Sequence, residues 1–404
     1  MTLGQRIRTL RKEKKLTQTD LAGDRITKNM LSIIENDKSD PSLETLNYLA
    51  KKLGVPVSYL TQEGDEAWTR EIFKKLRIYD DFNYPEEVVQ NEIIPNMDKI
   101  SQTETGVRVY LYLRGYFRRQ YDDRKADDIS SRIYDYYNRL GLEHLAVKDK
   151  IDDAVSYINQ YNYEKTFNKL LDLYDEVEVI AETVPEIKLE YYFMLALFSV
   201  SIDEAAFVKY SREAIGMCHK LQSFKNYLTL NNLMSCYYGL LNDSEYQYYF
   251  KKIKSYIDFN DDPKYDALFL NKESPVTLKF LLVEDEEKER LLLKDYLERN
   301  KESEFKFLEF YLPIFQLELY YFSGEYEKVL KEFKKEYYHR HSANHQVDRM
   351  TIAIRQCVYP LCLYYLGEKS KAVSEFDRIE REVKDISHMI FAKELYEIKE
   401  IINQ

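Results

Sequence analysis

The chain has 404 residues, of which 32% are charged and only 11 are Gly and 9 are Pro. So few turn formers, with Leu, Lys, Glu and Tyr recurring throughout, favour an all-α fold. The four Cys form no CxxC pair, which excludes a secreted disulfide framework and favours free thiols in a reducing compartment. No apolar stretch of roughly 18 residues occurs, so we expect a cytoplasmic protein without a membrane partner.

Charge divides the chain unevenly. Residues 1–60 hold 11 Lys and Arg against 7 Asp and Glu, a net charge of +4, whereas the remainder holds 48 against 63, a net charge of −15. A basic head can approach phosphates while an acidic body stays away from them. The charge balance therefore confines any nucleic-acid contact to the N-terminal segment.

Short amphipathic helices are predicted over the first sixty residues. Leu3, Ile7 and Leu10 mark a helix over about 2–14, and Thr17 is placed to cap a second one over 17–22. Gly23 and Asp24 interrupt the pattern, and a third helix follows as KNMLSIIEN. Pro41 and Ser42 open a fourth helix, SLETLNYLAKKLG, and VPVSYL closes the segment with apolar residues.

The third helix has two different faces. Leu31 and Ile34 share an apolar face that can join a core. The opposite face presents Lys28, Asn29, Ser32 and Ile33, and such a face is free to enter a major groove. We expect residues 1–63 to form one domain, residues 64–80 a hinge and linker helix starting near Glu66, and residues 81–404 a further domain.

The stretch LTQTDLAGDRITKNMLSIIENDKSDPSLETLNYLAKKLGVPVSYL resembles the helix-turn-helix of phage-repressor and Xre-type regulators. The resemblance covers residues 3–60 and implies that Gln18 contacts a backbone phosphate and braces the interface, while Lys28, Asn29 and Ser32 read base edges. Two positions depart from the family pattern: Ile33 stands where Arg or Gln is frequent, and Asp37 stands where Gly is usual. The expected DNA-binding residues are Lys15, Thr17, Gln18, Thr27, Lys28, Asn29, Ser32, Ile33 and Asn36.

A weak repeat runs through the body of the chain. Turn-like centres between two helical runs fall at residues 164, 204, 245, 286, 325 and 368, with spacings of 39 to 43 residues. Two further units are expected near Tyr84-Pro85-Glu86 and near Asp123 and Lys125. Such a period is typical of stacked helical hairpins that bury their apolar faces against each other.

The clearest units, YFSGEYEKVLKEF and YYLGEKSKAVSEF, resemble tetratricopeptide repeats. Together with the head, they make the chain similar to the RRNPP peptide-pheromone receptors of Gram-positive bacteria. That resemblance implies a right-handed superhelix, a homodimer, a short signalling peptide of the quorum-sensing type as ligand, and a double-stranded DNA operator with two half-sites. A regulator whose repeats bind a partner protein instead of a peptide is the alternative.

A groove that binds a peptide needs side chains that donate and accept hydrogen bonds, and an Arg suits the peptide carboxylate. Among the 37 Tyr, most are expected to pack between helices, and some to line the groove. The candidate peptide-binding residues are Asn159, Tyr192, Asn231, Asn232, Gln316, Arg355 and Gln356.

No catalytic motif is found in the body, so we expect no enzyme activity and no cofactor. His339, His341 and His345 form an HxHxxxH pattern in which the last two have a spacing that suits a metal. Their surroundings, HRHSANH, are typical of a solvated loop between hairpins, and we therefore expect no metal site.

Overall fold

The computed structural model describes residues 2–61, 64–77, 85–241, 244–260, 279–301, 308–338 and 345–404. Within these ranges all regular elements are helical, which confirms the all-α prediction, and no helix is long and apolar enough to cross a membrane. The chain forms two compact units, Met1–Ala146 and Val147–Gln404. The first unit thus extends beyond the predicted 63-residue head.

The first unit opens with a bundle of five helices, and the limits of the first four lie within two residues of the predicted ones. They are α1 Leu3–Glu13, α2 Gln18–Ala22, α3 Lys28–Glu35, α4 Leu43–Leu53 and α5 Val57–Thr61. Their apolar faces meet in one core in which Ile7, Leu21, Leu31 and Leu49 are fully buried. The spacing of these residues along each helix is what the amphipathic pattern predicts.

Helices α1 and α3 approach each other closely at Gly4. A Cβ atom at this position would lie 2.1 Å from the carbonyl oxygen of Ile34 and 2.7 Å from Oδ1 of Asp37. Only a residue without a side chain fits here, because the obstructing atoms include backbone. Gly4 therefore sets the distance between the two helices.

A second hydrophobic core completes the first unit. It is built from α6 Glu66–Leu76, α7 Glu86–Val88 with the following π and 3-10 turns, α8 Glu104–Arg119 and α9 Asp123–Arg139. The predicted linker helix is α6, and its residues Ile72 and Leu76 are buried in this core. Helix α6 therefore packs its apolar face into this core.

The second unit is a series of helical hairpins around a large core, with a separate small apolar cluster of Leu228, Ile253 and Ile257. Its helices are α10 Glu143–Val155, which begins four residues before the unit, α11 Tyr163–Leu171, α12 Tyr174–Ala181, α13 Pro185–Ser199, α14 Glu204–Leu221, α15 Phe224–Leu240, α16 Glu245–Asn260, α17 Glu286–Asn300, α18 Leu308–Phe322, α19 Tyr326–Glu332, α20 Gln346–Gln356, α21 Val358–Tyr365, α22 Lys369–Glu382 and α23 Lys393–Asn403.

The predicted repeat centres at residues 164, 204, 245, 325 and 368 lie within one residue of the start of the second helix of a hairpin, and the centre at 286 marks the start of α17. Asn162, Asp203 and Asp285 precede three of these helices, and each side chain accepts a hydrogen bond from a backbone N–H of the first turn. Gly324 and Gly367 end two of the first helices at φ values of +71° and +84°. The repeat period therefore reflects the regular recurrence of N-cap residues and of left-handed turns at helix ends, both of which depend on neighbouring residues.

The clustered tyrosines pack between the helices of the second unit. Tyr191 and Tyr237 are buried, and their hydroxyl groups donate to the carbonyl of Leu170 and the carboxylate of Glu204, respectively. The expected inter-helix packing is thus found, but these two hydroxyl groups reach protein acceptors and not solvent. Tyr84 and the interval 261–278 lie outside the described residues.

We predict that Gly4→Ala lowers the free energy of unfolding of the N-terminal bundle by about 1–3 kcal/mol, because the added methyl group overlaps backbone atoms of α3. Faster hydrogen exchange of amides in α1 and α3 of the full chain measures this loss. Gly216→Ala in α14 is the control, since its Cβ meets no atom within 4 Å and a helical Ala is favoured. Unchanged exchange in the Gly4 variant would contradict the close approach.

Candidate nucleic-acid interface

Helix α3 turns a polar face outward. Thr27 caps its N-terminus by accepting a hydrogen bond from the Met30 N–H at 3.1 Å, which fixes where the helix begins. Leu31 and Ile34 are buried beneath it. One face of the helix is thus committed to the core, and the opposite face is left at the surface.

The outward face carries the four residues predicted to enter the major groove. Lys28 and Asn29 are exposed, and neither has a hydrogen-bond or ion-pair partner among the described residues. Ser32 is half-buried, and Ile33 is 37% exposed. The structure therefore brings Lys28, Asn29, Ser32 and Ile33 together as a continuous surface whose polar groups are available to a ligand.

Buried charges hold α3 against α1 and α2. The Glu35 carboxylate accepts hydrogen bonds from Nε and Nη2 of Arg11 at 2.6 and 2.9 Å, and from Nε2 of Gln18 at 2.9 Å. Arg11 also donates to the carbonyl of Leu16 at 2.9 Å. One carboxylate thus joins three helices, with its own side chain only 1% exposed.

The pKa values follow from this arrangement. Burial opposes ionisation of Glu35, but the hydrogen bonds from Arg11 and Gln18 outweigh it and keep the pKa of the carboxyl group below its ordinary value. The hydrogen bond to Glu35 raises the pKa of Arg11. Both groups are therefore charged in the folded protein.

Of the two roles expected of Gln18, the structure shows the one at the helix interface. Its amide braces α2 against α3 through Glu35, as the resemblance implies for the interface between the two helices. Sequence reasoning missed Arg11 and Glu35. The signal was a Glu adjacent to Ile34 on the core side of α3, because a buried carboxylate needs a partner.

Three of the predicted contact residues serve the helix ends. The Thr17 hydroxyl accepts from the Asp20 N–H at 3.1 Å in a reciprocal capping box. Thr27 caps α3, and the side chain of Asn36 donates to the carbonyl of Ser32 at 2.7 Å. These side chains therefore position the helices, and any contact they make with a ligand is additional.

The contacts of Asp37 account for its presence at a position where the family usually has Gly. It has a φ of +54°, the left-handed region that favours Gly, yet its carboxylate accepts from the Gly4 N–H at 2.9 Å and from the hydroxyl of Thr2. Those bonds satisfy the N-terminus of α1, which a Gly could not do. Lys15, with a φ of +56°, is exposed at the turn between α1 and α2.

The candidate peptide-binding residues lie in the second unit. Asn231 is buried in α15, where Nδ2 donates to the carbonyl of Tyr227 at 2.7 Å, while Oδ1 is buried and has no hydrogen-bond partner within the described part of the chain. Oδ1 of Asn232 and Nε2 of Gln356 are also buried and unpaired in the described residues. Three of the predicted side chains thus retain hydrogen-bonding capacity in the interior of the repeats.

Other candidates are already engaged or only partly described. The Tyr192 hydroxyl donates to Glu178 at 3.3 Å, and burial raises the pKa of this Tyr. Gln316 is half-buried in α18. Asn159 lies in the 3-10 turn after α10, and its side chain lies outside the described residues.

Arg355 does not point to an empty anion site. Its Nη1 contacts both carboxylate oxygens of Glu318 at 2.6 Å, and its guanidinium stacks on Phe280 and Phe315 at 4.3 and 4.9 Å from the ring centres. Burial raises the pKa of Glu318 to about 7 although Arg355 lowers it. The guanidinium of Arg355, which the sequence predicted to bind a peptide carboxylate, is therefore paired with a carboxylate of the protein itself.

His345 is the member of the histidine pattern that lies within the described residues. His345 is not in a solvated loop as predicted, since Nε2 lies 2.9 Å from the carbonyl oxygen of Leu197 and its ring packs on Phe198. His339 and His341 lie outside the described residues. The part of the chain that is described holds no His, Cys, Asp and Glu group arranged to bind a metal.

This geometry defines a helix-turn-helix protein, and comparison with known proteins specifies the type. Residues 4–66 match the helix-turn-helix domain family. The immunity repressor protein of Bacillus phage phi105 is 47% identical over 64 residues, which are 16% of this chain and 44% of that repressor. RstR, the cryptic phage CTXphi transcriptional repressor of Vibrio cholerae, is 32% identical over 83 residues, or 20% of this chain and 75% of RstR.

The chain therefore belongs to the helix-turn-helix family of phage-repressor, Xre-type proteins, and it spans less than half the length of the phi105 repressor. Among solved structures, apo ComR from S. thermophilus is 15% identical with a TM-score of 0.27, over 66% of this chain and 96% of ComR. PlcR from Bacillus thuringiensis, solved with the peptide PapR7 and DNA, is 13% identical with a TM-score of 0.24, over 99% and 98% of the two chains.

We predict that Glu35→Gln destabilises the N-terminal bundle by roughly 3 kcal/mol at neutral pH, because the guanidinium of Arg11, whose side chain is 11% exposed, loses its counter-charge. A carboxyl group with a lowered folded-state pKa stabilises the fold above its unfolded pKa of about 4.3, and this contribution is lost as the pH falls through the folded value. The variant should therefore lose less stability than the wild type on acidification below about pH 4.3.

Urea unfolding monitored by amide exchange in α1 to α3, at several pH values, measures both effects. Glu44→Gln is the matched control, because Glu44 is 86% exposed and its pair with Arg25 is 3.4 Å long. We expect a change within about 0.5 kcal/mol for the control. The same acid sensitivity in wild type and in the Glu35 variant would show that another group is responsible.

Proposed function

We propose that the protein is a DNA-binding transcription regulator whose activity is controlled by a short signalling peptide bound in its repeats. In this proposal it acts in the cytoplasm as a homodimer, with residues 1–63 as the DNA-binding head, residues 64–80 as connection and residues 81–404 as the sensor. The observation that carries it is the outward face of α3, whose Lys28 and Asn29 have no partner among the described residues.

The proposed mode of DNA binding places α3 in the major groove. Lys28 then donates to O6 and N7 of guanine, Asn29 bonds both N6 and N7 of adenine, and Ile33 contacts a thymine methyl group. Lys15 and Gln18 contact backbone phosphates, which position the head without reading sequence. The net charge of +4 over residues 1–60 supports this assignment, because it concentrates attraction for phosphates in the head.

Two heads on a two-fold axis suit an operator with two half-sites. Their recognition helices would contact major grooves about 34 Å apart, or a multiple of that distance. A ligand that changes the separation of the heads changes DNA affinity, but only by the difference between its affinities for the two conformations.

In the proposed mode of peptide binding, the repeats open far enough for a bound main chain to reach polar atoms that are buried and unpaired in the described residues. Buried amide groups without partners are costly, by about 1–3 kcal/mol each, and a bound main chain supplies both donors and acceptors. Asn231, Asn232 and Gln356 each have one such atom among the described residues. A partner protein would have to insert a segment of its own to satisfy the same groups.

We predict that Asn29→Ala weakens binding to the preferred operator by about 1–3 kcal/mol and relaxes the preference at a single base pair. Lys15→Ala, in contrast, should weaken binding to all sequences alike and reduce the salt dependence. Competition binding against single-base operator variants, at two salt concentrations, distinguishes the two effects. If both variants lose equal affinity for operator and random DNA, α3 does not read bases in the proposed register.

A titration tests the peptide. We expect a peptide encoded by a small open reading frame next to the gene to shift operator affinity by about 1–3 kcal/mol, the usual size of coupling between two sites. Operator binding by the full chain is measured with increasing peptide, and a scrambled peptide is the control. If a stoichiometric partner protein shifts operator affinity and no peptide does, the sensor reads a protein instead.

A further inference from the structure

A short non-helical segment, Lys279–Val283, precedes α17 and contacts elements that lie far along the chain. The carboxylate of Glu394, in the first turn of α23, accepts hydrogen bonds from three consecutive backbone N–H groups. The N–H of Phe280 lies 3.0 and 2.8 Å from its two oxygens, and those of Leu281 and Leu282 lie 2.7 and 2.9 Å from Oε1. One buried side chain thus holds three residues of main chain that are more than 100 positions away.

The side chains of the segment are held as well. Leu281 is 1% exposed within the hydrophobic core. The ring of Phe280 lies 4.3 Å from the guanidinium carbon of Arg355, which Glu318 keeps in place. Nζ of Lys279 lies 2.6 Å from Oε2 of Glu397. The segment is therefore recognised through its main chain, an aromatic ring, an apolar side chain and a positive charge.

These are the contacts by which proteins bind short peptides. Converging N–H groups bind a carboxylate whatever their side chains are, so Glu394 is able to accept the main chain of any peptide that adopts the same bend. Arg355 and the buried position of Leu281 then select an aromatic residue followed by an apolar one. In the structure, Lys279–Val283 of the same chain makes all of these contacts.

We infer that Glu394, Glu397 and Arg355 form a recognition site for a short apolar peptide with a basic group before an aromatic residue, and that Lys279–Val283 occupies this site as an internal competitor. The inference rests on the proposed peptide-controlled function and names both the ligand class and the mode of regulation. Binding of the free peptide requires the internal segment to leave.

The consequence for affinity follows from competition. A tethered segment is present at an effective concentration of about 1 mM, and the apparent dissociation constant of a free peptide rises by the inverse of the fraction of open sites. Loss of a side chain that holds the segment therefore increases apparent affinity for a free peptide. Loss of a side chain that binds both occupants does not.

Two variants separate these cases. Phe280→Ala removes the ring that Arg355 contacts and leaves the site intact, whereas Glu394→Gln removes the charge that binds the main chain of either occupant. The probe is the labelled pentapeptide Lys-Phe-Leu-Leu-Val, titrated into the full chain and followed by fluorescence anisotropy. The control is the same peptide with an N-methyl group on the first Leu, which removes one N–H donor.

We expect Phe280→Ala to bind the probe roughly tenfold more tightly than wild type, because its own segment competes less well. Glu394→Gln should bind it at least about tenfold more weakly than Phe280→Ala, as should the N-methylated probe on Phe280→Ala. Hydrogen exchange of the amides of residues 280–282 should accelerate in both variants. If the segment is released in both variants but only Phe280→Ala binds the probe more tightly, the residues form a binding site and not merely a structural contact.

Equal probe affinity in the two variants, or no probe binding to Phe280→Ala although its amides 280–282 exchange freely, overturns the inference. A native peptide that shifts operator affinity without displacing the probe also overturns it and leaves the proposed function standing. If the probe binds as expected and no peptide shifts operator affinity, the site is supported and the proposed control of DNA binding fails.

Discussion

The ionised Glu35 carboxylate, buried between Arg11 and Gln18, is the interaction on which the N-terminal domain depends. It ties α3 to α1 and α2 through charge-assisted hydrogen bonds, which are directional as well as strong. The hydrophobic core alone would bury Leu31 and Ile34 at several small rotations of α3. The carboxylate selects one rotation, and with it the side chains that face outward.

The second unit also contains a buried carboxylate with several hydrogen-bond donors, but it holds a different kind of element. This carboxylate is that of Glu394, and its donors are backbone N–H groups of a segment without regular structure. Glu318 and Arg355 support that segment from another side. In both units a buried carboxylate fixes what apolar packing leaves adjustable, because a carboxylate without hydrogen-bond donors is costly in the interior.

Much of the fold could be predicted because its signals are local. The helix limits of the N-terminal bundle follow from caps such as Thr17 and Thr27, and the repeat period follows from cap residues such as Asp203 and from Gly367. The packing of α6 could not be predicted in this way, since the residues that cover Ile72 lie later in the chain. The same holds for His345, whose partner, the carbonyl of Leu197, is 148 residues away.

By itself, the sequence determined the helix-turn-helix, the outward position of Lys28 and Asn29 and the hairpin period, because each depends on residues within one or two helical turns. Only the tertiary structure decided that Arg355 is paired with Glu318 and that the main chain of Phe280–Leu282 is bound by Glu394. Charge pairing and main-chain recognition join distant residues, and spacing along the chain carries no record of such contacts.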